Sequence, residues 1–158
     1  MKILTTYFAN LKKLPSNVVP IAICGKSPDS YKGLEYKKLA PKYHFFMKWK
    51  QDHDNDEYTR CFKEQVLDVL SPQVVIQELS HMSNGRDIAL VCYEKSRDFC
   101  HRHIVSSWLM ANGILSFEWQ ENEKALPSHC KNHQQNGCRN CPNTPICRWY
   151  KEYIIGRK

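Results

Sequence analysis

Four of the chain's eight cysteines, Cys130, Cys138, Cys141 and Cys147, lie in its last thirty residues in the order C-x7-C-x2-C-x5-C. Thiolates at short, uneven spacings are the ligands of a soft metal centre. Two metals fit. A [4Fe–4S] cluster uses all four cysteines. Zinc is satisfied by Cys130, His133, Cys138 and Cys141, a tetrahedral set that leaves Cys147 idle. The fourth cysteine therefore favours iron–sulfur, with zinc as the alternative. Disulfides rank third. Met1 to Leu14 contains no apolar export segment and no small-residue cleavage site, so a cytoplasmic protein is expected, with its thiols free or on metal.

A second constellation is Glu94, Cys100, His101 and Arg102. Glu94 follows the apolar run Ile88 to Tyr93, and Asp98 can cap a helix that places Cys100 in its first turn. The helix dipole there favours a thiolate or a bound anion. Arg102 offers a planar fork for phosphate, and the His101 imidazole can carry a proton. A carboxylate on one wall and Cys, His and Arg on the other suit acid–base or nucleophilic work. The structural alternative gives these residues ordinary tasks. Cys92 lies inside the apolar run and reads as core, Cys100 as a small buried hydrophobe, and Glu94 with Arg102 as an ion pair.

Charge is unevenly placed. The formal net charge is +7. From Lys124 onward Lys124, Lys131, Arg139, Arg148, Lys151, Arg157 and Lys158 stand against Glu152 alone. Trp149, Tyr150 and Tyr153 are interleaved with them. Cations beside aromatics hold a phosphate backbone and stack on bases, which makes Arg139, Arg148, Trp149 and Lys151 candidate nucleic-acid contacts, DNA ahead of RNA. A solvated basic tail packed on the metal loop is the competing view. The composition, 42% hydrophobic and 25% charged, is that of a folded protein, and no run is long enough to span a membrane.

The elements that must position these residues follow from periodicity. Ile3–Phe8 and Val18–Cys24 read as strands. Gly25–Lys42 reads as a long loop, His44–Lys50 as a short helix or part of that loop, and Tyr58–Leu70 as a helix. Ser71-Pro72 starts a helix that stops at Asn84-Gly85. The run from Ile88 is the signature of a central parallel strand. A helix from Asp98 to Ala111 and a strand over 114–119 complete a strand–helix–strand unit. The expectation is an α/β protein, with a small Rossmann-like parallel-sheet domain over 1–123 and a basic, cysteine-rich metal-binding loop module over 124–158. In open parallel sheets ligands collect outside the carboxyl ends of the strands, which is where Glu94 falls.

Two resemblances bear on this reading. The string Cys92-Tyr93-Glu94-x5-Cys100-His101-Arg102 resembles the hallmark of the domain-of-unknown-function 488 family, as do Thr6-Tyr7-Phe8 and Tyr36-x2-Leu39-Ala40-Pro41 more weakly. This resemblance spans roughly residues 1–120. It implies an α/β fold and a pocket around Glu94 and Cys100 to Arg102, and it brings in Tyr7 and Tyr36 as substrate-binding walls. Where that family often has Asp-x-Arg after its second strand, this chain has Ile23-Cys24-Gly25, so the basic contact would fall to Lys26. The C-terminal loop is similar to the iron–sulfur loop of endonuclease III and MutY DNA glycosylases, C-x6-C-x2-C-x5-C, with one extra residue before its last three ligands.

Three functions compete on these grounds. The first is an enzyme that processes a nucleotide or nucleic acid by base or glycosidic chemistry, with Glu94 as acid, base or nucleophile. The second is a non-catalytic nucleic-acid-binding module with a structural metal. The third is a redox or metal-sensing protein. Concentrated positive charge favours the first two.

Overall fold

The computed structural model describes residues 1–119. The expectations placed on Cys130, His133, Cys138, Cys141 and Cys147, and on Arg139, Arg148, Trp149 and Lys151, lie outside the described residues. The fold is α/β. Its strands are β1 (Ile3–Tyr7), β2 (Val19–Ala22), β3 (Leu34–Glu35), β4 (Ile88–Cys92) and β5 (Ser116–Glu118). Its helices are α1 (Tyr43–Asp52), α2 (Asn55–Phe62), α3 (Pro72–Met82) and α4 (His101–Ala111).

All strand pairs are parallel, in the order β3-β2-β4-β1-β5. β4 is central, with Leu90 opposite both Thr5 of β1 and Ile21 of β2. All five of its residues are buried, as its uninterrupted apolar run requires of a strand covered on both faces. β1 lies between β4 and β5, so the β4–α4–β5 connection passes over β1. Because every strand runs the same way, the residues following β1, β2 and β4 emerge on one edge of the sheet.

Ile21, Ile23, Leu90, Phe45, Phe62, Leu79, Val105 and Leu109 belong to one hydrophobic core that joins strands to all four helices. A second, smaller buried cluster is made of Ala22, Cys24, Cys92 and Cys100. Among the described residues no helix is long and apolar enough to cross a membrane.

Three boundaries differ from periodicity. The helix expected over 58–70 begins earlier, because Asp54 caps it by accepting from the backbone N–H groups of Asp56 and Glu57 at 3.1 and 2.9 Å. Its first turn is polar, so hydrophobic spacing does not mark it. It then widens over Lys63–Leu67 into i→i+5 bonding, with Asp68 N donating to Lys63 O. The long loop after β2 contains β3 and a 3-10 turn over Lys37–Leu39. The third is the start of α4. Asp98 closes a turn onto Lys95 O, and Cys100 is the N-cap. Cys100 is extended there, with φ −154° and ψ 139°, and is not in the first turn.

α3 follows the sequence closely. Ser71 Oγ accepts from Val74 N, Pro72 opens the helix, and the chain leaves it through Asn84 and Gly85 at φ 53° and 72°. These left-handed positions are the ones Asn and Gly tolerate.

Candidate functional site

A cavity of about 630 Å³ opens at the carboxyl edge of β2 and β4. Its position follows from the topology, since the turn after β2 and the turn after β4 are neighbours in the sheet. The buried end is formed by Cys92, Cys100 and His101, only 3 to 5% exposed, with half-buried Glu94 beside them. Phe46 and Trp49 of α1, Tyr58 of α2 and Phe99 supply aromatic walls, and exposed Lys26 and Lys50 lie nearer solvent.

The rings hold one another. Trp49 and Phe99 have centroids 5.7 Å apart, Tyr58 meets Phe99 edge-on at 5.3 Å, and Phe62 packs against the His101 ring at 5.4 Å. Trp49 Nε1 donates to Asn55 Oδ1 at 2.8 Å. Lys50 Nζ sits over both Phe46 and Trp49, 5.3 and 5.4 Å from their centroids, an arrangement in which a cation and aromatic faces attract. A flat, electron-poor ligand with an anionic end suits such walls.

At the buried end, His101 Nε2 lies 3.0 Å from the carbonyl oxygen of Ile23. A carbonyl only accepts, so Nε2 carries the proton and Nδ1 is left with its lone pair. Cys92 Sγ is nearly equidistant from the two ring nitrogens, 3.7 Å from Nδ1 and 3.9 Å from Nε2, and donates to Glu94 Oε2 at 3.3 Å. The ligand atoms of Cys92, Cys100 and His101 all lie within 4.8 Å of one another. These three could hold a metal ion.

The two thiols divide in their acidity. A hydrogen bond to Cys100 and then burial push Cys92 far up. Burial opposes ionisation of Cys100 too, but hydrogen bonds to Cys92 and His101, with the charge of Arg102 nearby, bring it down. Cys100 is the more acidic of the pair. Glu94 is raised above the ordinary carboxylate value by burial first and by the Cys100 charge second. It therefore keeps its proton to a higher pH than an exposed glutamate, as a general acid requires.

Glu94, Cys100, His101 and Lys26 thus all line one cavity. Arg102 does not line it. Its side chain is 0% exposed, and its guanidinium donates from Nε and Nη2 to the two oxygens of Glu118 at 3.2 and 2.9 Å, and from Nη1 to the Glu94 backbone oxygen at 2.7 Å. The fork expected for phosphate is occupied by protein, and the expected Glu94–Arg102 ion pair is an Arg102–Glu118 pair. Tyr7 also stands off the cavity, with its ring centroid 6.0 Å from the Arg102 guanidinium. Tyr36 is buried, donates its hydroxyl to Glu78 and does not line the cavity. His103, 35% exposed, lies 3.5 Å from Glu118.

Cys92, read as core, is buried and at the same time part of the cavity wall. Its position as the last residue of a central parallel strand could have shown this. Cys24, which follows β2 and also lines the cavity, carries the same signal. The aromatic walls gave no such signal, since Trp49, Tyr58 and Phe99 are brought together only by tertiary packing.

Fold and site together place the molecule among α/β proteins whose ligand cavity lies at the carboxyl edge of a parallel sheet. The DUF488-N3a model, described as the active DUF488-N3 subclade, matches residues 10–113, and the chain belongs to that family. The match contains the whole Cys92 to Arg102 segment and ends before the C-terminal cysteines. No curated protein and no solved structure matches the chain.

Proposed function

We propose that the protein is an enzyme that processes a nucleobase, within a nucleotide or a nucleic acid, in the cavity at the carboxyl edge of β2 and β4. One observation carries the reading: a half-buried carboxyl, Glu94, stands beside a buried Cys–Cys–His group at the end of an aromatic-walled cavity. Trp49 and Phe99 are the stacking platform, worth about 1–3 kcal/mol per base. Lys26 and Lys50 meet the phosphate in place of the inward-turned Arg102. Glu94 moves the proton between solvent-side substrate and the reacting bond.

The basic segment beyond the described residues completes the proposal. Arg139, Arg148, Trp149 and Lys151 would hold a nucleic-acid backbone, DNA ahead of RNA, on a loop organised by a [4Fe–4S] cluster at Cys130, Cys138, Cys141 and Cys147, with zinc and His133 as the alternative. Its support is the sequence alone: residue type, spacing and charge.

Titration calorimetry with the four deoxynucleoside monophosphates tests the cavity. At least one should bind, and Trp49→Ala should weaken it about tenfold or more, as loss of a stacking face requires. Binding indifferent to Trp49→Ala and lost on neutralising Arg139, Arg148 and Lys151 would instead make the molecule a non-catalytic nucleic-acid-binding module.

A further inference from the structure

We propose that Cys92, Cys100 and His101 bind one zinc-class divalent ion whose fourth coordination position opens to the cavity beside Glu94. Three features of the site carry this. The donor set is two sulfurs and one imidazole nitrogen, drawn from the end of β4 and the start of α4, with all ligand atoms within 4.8 Å of one another. Tetrahedral zinc, with bonds of about 2.3 Å to sulfur and about 2.0–2.1 Å to nitrogen, sets sulfur and nitrogen roughly 3.5 Å apart. Cys92 Sγ lies 3.7 Å from His101 Nδ1 and 3.9 Å from Nε2, so the separation already suits the pair and a reorientation of the imidazole would aim Nδ1 at the ion.

The second feature is the Ile23 carbonyl, which takes the Nε2 proton at 3.0 Å. A carbonyl accepting from Nε2 fixes the tautomer and leaves the Nδ1 lone pair available to an ion, the usual outer support of a metal-bound histidine. The third is the count of ligands. Three protein donors in a buried wall, with an open cavity in front, describe a catalytic zinc site, whereas a structural site closes with four. Cys100, extended at the helix N-cap outside the first turn, shares a small buried cluster with Cys92.

Glu94, with Oε2 3.3 Å from Cys92 Sγ, stands next to that fourth position without being needed as a ligand. On the reading of the cavity as a nucleobase site, on which this step rests, the ion supplies a bound water and the reaction is hydrolysis of a carbon–nitrogen bond. The water oxygen forms the new bond to carbon, and the electron pair of the broken bond leaves with nitrogen. Glu94 takes a proton from the water and passes it to that nitrogen, so that an alcohol or carbonyl and an amine or ammonia result with no oxidant or reductant. A zinc-bound water attacking an aromatic base, with a non-ligand glutamate as proton carrier, is established chemistry for buried bases.

Cobalt(II) is the probe. The background is the full-length Cys130→Ser/Cys138→Ser/Cys141→Ser/Cys147→Ser chain, which removes every thiol of the C-terminal set. Anaerobic titration should give one cobalt per chain, with a thiolate-to-cobalt charge-transfer band and the intense visible bands of a tetrahedral ion. Both should disappear in Cys92→Ser and in His101→Ala. Absence of cobalt binding, or a spectrum unchanged by Cys92→Ser in a folded chain, overturns the proposal. Should those variants fail to fold, X-ray absorption of the zinc-loaded background decides: two sulfurs and an imidazole support the site, and an all-nitrogen-and-oxygen shell overturns it. Adding deoxynucleoside monophosphates separates the two claims. A cobalt spectrum that ignores every one of them leaves the metal site standing and removes the nucleobase reading. Nucleotide binding that depends on Trp49 in a chain that takes no cobalt does the reverse.

Discussion

Arg102 Nη2 and Glu118 Oε1 lie 2.9 Å apart, a pair joining the start of α4 to the end of β5. Thr5 and His103 also contact the Glu118 carboxylate, and Arg102 continues to the Glu94 backbone oxygen. Arg102 thereby positions the residue proposed to carry the proton without touching the cavity. Removing one member of a buried pair leaves the other charge uncompensated, at about 3–5 kcal/mol. Glu118→Ala should therefore lower the urea unfolding free energy by roughly that amount, and Glu118→Ala/Arg102→Met should recover part of it.

The same pair predicts an acid limb of stability. Burial raises the Glu118 carboxyl, but hydrogen bonds from His103, Arg102 and Thr5 outweigh it and hold the group below its ordinary value. A depressed carboxylate stabilises the fold above its unfolded pKa, about 4.3, and that contribution is lost as pH falls through the folded value. Urea midpoints measured from pH 7 downward should fall below about pH 4.3, and Glu118→Gln should flatten this component. An unchanged acid limb in Glu118→Gln would assign it to other carboxylates.

How far the sequence reached depends on the range of the interactions involved. β4 and α3 were legible because each is marked locally, by an unbroken apolar run and by Ser71-Pro72 and Asn84-Gly85. α4 was legible as a helix, but its first residue was not. Asp98 has the right chemistry for a cap, yet a turn onto Lys95 takes it. Glu94, Cys100 and His101 could be placed together because a strand end and the following helix start must share a sheet edge. Arg102 could not, since its partner Glu118 comes from β5, sixteen residues on. The same holds for Trp49, Tyr58 and Phe99, which converge from three separate segments.

The aromatic walls yield a graded prediction. Phe99→Ala and Trp49→Ala should each weaken deoxynucleotide binding, and together they should fall short of additive, because the two rings touch at 5.7 Å. Tyr36→Phe, at the hydroxyl bonded to Glu78, should leave binding unchanged and lower only thermal stability. Calorimetry beside thermal melts separates the two effects.

For the C-terminal segment, Cys147→Ser should bleach visible absorbance of anaerobically purified protein and reduce its iron and acid-labile sulfide. Stoichiometric zinc that survives Cys147→Ser and is lost in His133→Ala would give the site to zinc. Affinity for single-stranded DNA should fall steeply with salt, and Arg139→Gln/Arg148→Gln/Lys151→Gln should flatten that slope.

Glu94 is where the account is most directly tested. Full-length protein and Glu94→Gln are incubated with deoxynucleoside monophosphates and with a mixed-sequence single-stranded oligonucleotide, and products are read by mass spectrometry. The account predicts a base-altered or base-released product from at least one of them. In Glu94→Gln, turnover should fall by 10²-fold or more, the lower end of what a general acid–base group supplies, with folding and nucleotide affinity nearly intact. Turnover undiminished in Glu94→Gln, or no product from any of these substrates despite binding in the cavity, would contradict it.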